Sequence, residues 1–290
     1  MTRIFRHRLI LRVLLALAIV PPALGLLVAG PGAFGAIGKF EVSLRRTEHL
    51  LRWRLGLPIR GMPALGRLDE RLAEKGLARG APVLVRLFKE ESALEIWMKS
   101  KDGRFTLFTT YPICRWSGDV GPKLAEGDHQ SPEGFYTVSR SQLNPRSRWH
   151  RSFNLGFPNR FDRAHGRTGT FIMVHGGCSS VGCFAVTNEA VDEIWQLVTA
   201  ALKGGQKRFQ VQSFPFRLSE WNLALHADSR WADFWRELKV GHDLFEANRL
   251  PPRVSVCAGH YVASAGAEGS DGSEPIEESC STRQAVGPEG

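Results

Sequence analysis

The sequence predicts a mainly β domain with flanking helices, an α+β arrangement, behind an apolar N-terminal segment. Three observations carry this. Short apolar runs broken by charged or glycine-containing turns recur from residue 81 to residue 157, as strands do. Residues 188–202 instead place Val191, Ile194, Trp195 and Val198 at helical spacing. Both ends differ in composition from the middle, so the folded part is shorter than the 290-residue chain. At 43% hydrophobic and 23% charged, the chain has enough apolar material for one large domain or two small ones.

The leading segment is a basic cluster, Arg3, Arg6, Arg8 and Arg12, followed by a nearly charge-free apolar run over residues 13–36. This is the pattern of a secretory signal or a membrane anchor, and the run is long enough to span a bilayer. We assign residues 1–38 to that segment. It explains part of the net charge of +9, so the basic balance gives no reason to invoke nucleic acid. Residues 39–64 read as a basic linker, with a helix from Phe40 ending near Pro58 and Gly61. Leu65, Leu68, Leu72 and Leu77 mark a short helix that opens the domain, residues 65–262.

Strands follow. Val83, Val85 and Leu87 alternate with Leu84 and Phe88; Leu94–Met98 and Phe105–Tyr111 come next, and the tight charged turns between them predict an antiparallel meander. Phe135–Val138, Phe153–Phe157, Thr170–Val174 and Phe209–Phe216 are further strands, and residues 144–150 read as a polar turn. Trp221–Leu225 and Arg230–Val240 form a helical pair, and Val254–Cys257 with Tyr261 a last strand. The tail, residues 263–290, holds six acids, one base and few large apolar groups. It is expected to be disordered, because it buries too little to offset its ordering entropy.

The chemistry lies in Phe171-Ile-Met-Val-His175-Gly176-Gly-Cys178-Ser-Ser180-Val181-Gly182-Cys183. An apolar strand delivers a histidine into small residues, and a Ser-x-Gly-Cys turn presents a thiol ahead of a helix. A thiolate is the reactive species, so an imidazole that takes the thiol proton makes Cys183 a nucleophile and His175 its base. The N–H groups of Gly182 and Cys183, within the turn Ser180-Val181-Gly182, are natural oxyanion donors. Taken on spacing alone, the same residues also suit a disulfide loop or a metal half-site. With five cysteines at least one stays free unless another chain supplies a partner; spacing does not assign any pairing. Histidines and cysteines never fall at zinc-like spacing, so no metal and no cofactor is expected.

The segment resembles the YkuD-type L,D-transpeptidase catalytic domain, in its YafK branch. His175-Gly176 and Ser180-Val181-Gly182-Cys183 match the two halves of that family's motif. Phe88-Lys89-Glu90-Glu91, Tyr111-Pro112-Ile113-Cys114, Gly127-Asp128, Ser131 to Tyr136, Ser152 to Asn159, Asp162 to Gly169 and Trp235 to Lys239 follow in order. The likeness runs from about Leu65 to about Tyr261. It implies a β-sandwich or barrel with a catalytic cleft, Cys183 as nucleophile, and attack at the L-centre of meso-diaminopimelate in peptidoglycan stem peptides. In the YafK branch the implied reaction is hydrolysis of the link between peptidoglycan and lipoprotein, so a lipoprotein-linked sacculus is the implied partner. The location is then the periplasm or cell envelope, at the inner membrane if the leading segment is uncleaved. The sequence departs from the family at Val181, where many members carry histidine, and at Phe184 and Ala185, where arginine or asparagine is common.

His165, Arg167, Tyr111 and Gly176 are the expected substrate-binding residues, and Cys178 reads as a small packed thiol. Two alternatives remain open at this level: a transpeptidase that forms cross-links or attaches lipoprotein, and a catalytically silent wall-binding module.

Overall fold

The computed structural model describes residues 31–280. The expected export or anchor segment therefore lies outside the described residues up to residue 30; no described helix is long and apolar enough to cross a membrane. The chain divides into a first unit, Met1–Glu41, and a second, Val42–Gly290, which holds every contact discussed below. Helix α1, Pro31–Arg54, begins well ahead of the Phe40 start expected from sequence. Its end falls where Leu57 N–H bonds back to Arg52 O and Gly56 takes a positive φ.

The expected meander is present. Strands β1 (Val83–Phe88), β2 (Ala93–Lys99) and β3 (Phe105–Pro112) pair antiparallel. β9 (Arg208–Phe214) joins β1 in parallel and β4 (Gly134–Ser139) joins β9, giving the order β3-β2-β1-β9-β4. All six residues of β1 are buried, because both faces of the sheet are covered. Val83, Val85 and Leu87 share a core with Val191, Ile194 and Val198 of α4, Asn188–Lys203. On the opposite face Phe88 packs with Phe214, Trp235 and Leu238, the last two on α6, Ala232–Asn248. Short helices α2 (Leu68–Glu74), α3 (Arg160–Ala164) and α5 (Glu220–Leu225) complete the helical set.

A second sheet has the order β5-β6-β7-β8, from β5 (Leu143–Ser147), β6 (His150–Asn154), β7 (Met173–His175) and β8 (Phe184–Ala185). Residues 144–150, read from sequence as a polar turn, are instead a hairpin whose register pairs Asn144 with Ser152 and Ser147 with His150. Strand β7, which ends at His175, is shorter than expected, three residues rather than the 170–174 run. The third sheet is the hairpin β10–β11, Arg253–Cys257 and His260–Ser264. The architecture is thus mixed α+β. Its strands fall into separate sheets of five, four and two, and no closed barrel forms among the described residues, which corrects the barrel alternative.

The tail also departs from expectation. Residues 264–280 are placed against the domain, and only 281–290 lie outside the described residues. A Cys257–Cys280 disulfide closes this segment, and Val256 N–H bonds Glu277 O while Ser279 N–H bonds Val256 O. Composition missed this because a covalent link over 23 residues removes unfolded-chain entropy, about 3 kcal/mol on the loop-closure model, with no need for apolar burial.

Candidate active site

The site is built where β7 and β8 run side by side. Val174 pairs with Phe184 and His175 with Ala185, in parallel. Parallel neighbours ordinarily need a crossover of a dozen or more residues. Here the connection is only the glycine-rich loop between His175 and Phe184, and it is held at several points. Cys178 forms a disulfide with Cys114, Cα–Cα 5.4 Å, so it is not the lone packed thiol expected from its neighbours. Cys114 N–H and Arg115 N–H both bond Ala185 O, and Val186 N–H bonds His175 O at 2.9 Å. The loop can be short because β8 is two residues long and is tied to the segment after β3.

With both disulfides formed, Cys183 is the free cysteine of the described residues, and it is half-buried. Extending the β7–β8 register by one residue sets Cys183 beside Met173. There its Sγ accepts the Met173 N–H at 3.4 Å and lies 3.6 Å from Phe171 O. Because side chains alternate along a strand, Met173, His175, Cys183 and Ala185 share one sheet face. The strand architecture therefore puts the thiol and the imidazole on the same face, two residues apart in register. They are not hydrogen-bonded to each other in this structure.

His175 is 2% exposed and its Nδ1 lies 2.5 Å from Gly176 O. A carbonyl only accepts, so Nδ1 carries the proton and the lone pair is on Nε2. Burial lowers the imidazole pKa below its ordinary value, and the bond to Gly176 O pulls weakly the other way. Burial likewise raises the Cys183 thiol, opposed by the Met173 N–H and by the charge of Lys123. The resting pair is thus a neutral imidazole and a protonated thiol. Such a pair suits general-base activation at the moment of attack rather than a standing thiolate–imidazolium ion pair.

The Cys183 carbonyl is anchored by hydroxyls. Ser180 Oγ donates to it at 2.7 Å and Ser131 Oγ at 3.1 Å. Ser117 Oγ–H then donates to Ser180 Oγ at 2.7 Å, and Ser131 Oγ accepts from Ser117 N–H at 3.0 Å. The adjoining loop is fixed from below by the fully buried Lys89–Glu133 pair, 2.9 Å. Lys89 Nζ donates to Gly121 O and Asp119 O, while Glu133 accepts from Gly121 N–H and Trp235 Nε1–H. Gly182 has φ +112°, and a Cβ there would sit 3.2 Å from Ile172 Cδ1, so the turn requires glycine.

The expected substrate-binding residues are dispersed. Gly176 lies within the site; a Cβ on it would meet Asn188 Oδ1 at 2.6 Å. Val181 is 70% exposed beside the thiol turn, as is Phe171 at 69%. Tyr111 is buried in the main core, donating to Glu193 Oε1 at 2.6 Å. Arg167 is buried against Asp162 at 2.8 Å, with its guanidinium over the Phe161 and Phe234 rings, in the second core cluster. His165 caps α3, its Nδ1–H donating to Phe161 O while its ring lies against Phe161. Each of these three polar side chains has a packing or capping partner, and none is hydrogen-bonded to Cys183.

Two residues that sequence reasoning missed do approach the site. Trp149, at the β5–β6 turn, stacks on the His175 imidazole with ring centroids 5.9 Å apart. Its only signal is an aromatic residue within an arginine-rich polar run. Lys123 is buried, donates to Ala125 O and Asp128 Oδ1, and is the charged group acting on the thiol. Nothing local in the sequence marks it. Among the described residues no group of three or more His, Cys, Asp or Glu is placed to hold a metal. A cavity of about 580 Å³ lies along α2 and α4, lined by Asp69, Arg79, Glu189, Asp192 and Gln196 rather than by the thiol.

Residues 98–212 match the model of the YkuD L,D-transpeptidase catalytic domain. YafK of Escherichia coli K12, a protein assigned to the L,D-transpeptidases, is 49% identical over 185 residues, covering 64% of this chain and 75% of that protein. YafK of Escherichia coli O157:H7 matches to the same extent. Among solved structures, the helical cell shape determining protein Pgp2 of Campylobacter jejuni aligns with 22% identity and a TM-score of 0.39 over 63% of this chain and 66% of that one. Bd1075 of Bdellovibrio bacteriovorus aligns with 22% identity and a TM-score of 0.33 over 57% of this chain and 60% of that one. The chain spans less than two thirds of the length of either solved structure. On the YafK likeness and the domain match together, the chain belongs to the YkuD L,D-transpeptidase family, in its YafK branch.

Proposed function

We propose that this protein is a cysteine acyltransferase or amide hydrolase of the cell envelope, acting on peptidoglycan stem peptides through Cys183. The observation that carries the reading is the pairing of one free, half-buried thiol with a buried imidazole whose Nε2 lone pair is fixed by Gly176 O, on one face of adjacent strands. Nε2 of His175 takes the thiol proton as Sγ adds to the carbonyl carbon at the L-centre of meso-diaminopimelate. The N–H groups of Gly182 and Cys183 receive the oxyanion. The C–N bond breaks, the imidazolium returns its proton to the leaving amine, and a thioester remains. Water, deprotonated by His175, then releases a carboxylate and regenerates the thiol.

Membership of the YafK branch favours hydrolysis, with lipoprotein-linked peptidoglycan as the substrate. The polarity of the resting pair is compatible with either acceptor, and an amine in place of water gives a cross-link. An apolar leader with arginines ahead of it supports export, with the leader either cleaved or kept as an anchor.

Two measurements test this. A carbapenem should give a covalent adduct at Cys183 by mass spectrometry, abolished in Cys183→Ala. Absence of the adduct in the parent protein would favour a silent wall-binding module. Incubation with lipoprotein-linked sacculi should then release lipoprotein; new cross-links without release would instead assign a transpeptidase.

A further inference from the structure

From Val42 onward, helix α1 meets the rest of the second unit largely through polar groups. Arg45 Nη1 donates to Glu91 O at 3.0 Å, and Arg46 donates to Trp116 O at 2.9 Å and Gly118 O at 3.0 Å. The Arg46 guanidinium also lies over the Trp116 ring, and the buried His49 donates through Nδ1 to Ile113 O at 2.9 Å. Val42 packs against the main core. These contacts fix which side of the helix looks outward.

The outward side carries three leucines, with Glu48 beside them. Leu44, Leu51 and Leu55 are 52%, 55% and 63% exposed. At about 100° per residue their spacing keeps them within roughly 40° of one another, opposite Val42, Arg46 and His49. Leu55 continues the stripe because its N–H still bonds Leu51 O. A soluble helix normally does the reverse, turning leucines inward and charges outward.

Charge identifies what covers the stripe. Residues 42–60 hold five arginines against one acid, Glu48; Arg45 and Arg46 are bonded to the domain, which leaves Arg52, Arg54 and Arg60 to flank the leucines. That acid is already neutralised by Arg52 at 2.9 Å and Arg60 at 3.0 Å. Leucines with an arginine rim are the composition of a helix lying in the headgroup boundary of an anionic bilayer. The chain also reaches this helix from the apolar run over residues 13–36. A second copy fits poorly, because a self-pairing stripe would bring two arginine rims together. We propose that the outward face of α1, Leu44, Leu51 and Leu55 rimmed by Arg54 and Arg60, docks on an anionic lipid surface. The inference stands apart from the cysteine chemistry.

The test uses the full chain with Cys183→Ser, carrying a polarity-sensitive fluorophore on Leu51→Cys, on Leu55→Cys, or on Asp233→Cys as an exposed control. Vesicles are phosphatidylcholine alone or mixed with phosphatidylglycerol. On the anionic vesicles, emission at 51 and 55 should shift to the blue and rise several-fold, while the label at 233 stays unchanged. Leu44→Ser with Leu55→Ser should abolish the shift at 51. Because the readout is local, attachment through residues 13–36 does not mimic it. Unchanged emission at 51 on vesicle-bound protein would overturn the proposal. So would a shift that needs no vesicles and grows with protein concentration, which would assign the face to a second copy.

Discussion

Ser152 and His175 are direct cross-strand neighbours on β6 and β7. The adjacent pair is joined by the Gly176 N–H to Arg151 O bond, so Ser152 and His175 form a non-hydrogen-bonded pair, the type whose side chains come closest. Ser152 is fully buried, and its Oγ has no hydrogen-bond partner. A buried hydroxyl left unpaired costs about 1–3 kcal/mol. Ser152→Ala should therefore raise the urea midpoint, by about 1 kcal/mol of stability. A lowered midpoint would mean that the hydroxyl is engaged by the imidazole in solution.

Acylation should depend on pH through His175. The base form is the neutral imidazole, and burial holds its pKa below the ordinary histidine value of 6.5. The acid limb of carbapenem acylation should accordingly lie below pH 6.5 rather than at it. His175→Gln should remove that limb and slow acylation by roughly 10²–10⁴-fold. A limb that stays in the variant would show that another group titrates.

A second histidine should contribute to acid stability. His242, on α6, is held at about 4 by burial and by the Arg86 charge. Its folded pKa is depressed, so the unfolded chain binds more protons as pH falls below 6.5. The stability it contributes is fully present above pH 6.5 and is lost as pH falls towards about 4, a change on the order of 3 kcal/mol. His242→Gln should flatten the denaturant midpoint across that window, measured at several pH values.

The Cys114–Cys178 bridge ties the segment after β3 to the loop that carries Cys183. It closes 64 residues, which on the loop-entropy model corresponds to about 4 kcal/mol. Cys114→Ala with Cys178→Ala should lower the denaturant midpoint accordingly and slow acylation of Cys183. An unchanged acylation rate would show that the strand pairing alone holds the turn.

Gly182→Ala should fold but react slowly. Its φ of +112° is costly for any side chain, and the new methyl would press on Ile172 Cδ1. Displacing the turn misaims Sγ, so adduct formation should fall by roughly tenfold or more. Comparison of melting curves with adduct rates separates misaim from unfolding.

Much of the fold was legible from periodicity. The alternation Val83, Val85, Leu87 against Leu84, Phe88 matches the two faces of β1, and Val191, Ile194 and Val198 do face the core. The β5–β6 hairpin was not legible, because residues 144–150 are polar and their strands are made by backbone ladder bonds rather than by side-chain burial. In the site, the thiol and imidazole were marked by their motif. Trp149, Lys123 and Ser131 carry no local signal, since each acts from a different segment, whereas Ser180, which also holds Cys183 O, belongs to the motif.

By itself the sequence determined the local grammar of this protein: most of the runs that become strands, where helix α4 starts, and which turn presents a thiol after a histidine. Tertiary structure decided the partners. It chose Cys114 for Cys178 and Cys257 for Cys280, paired Arg167 with Asp162, and set Trp149 on His175. The reason is physical: periodicity is written over a few neighbouring residues, whereas a pairing across many residues exists only once the chain between them has closed.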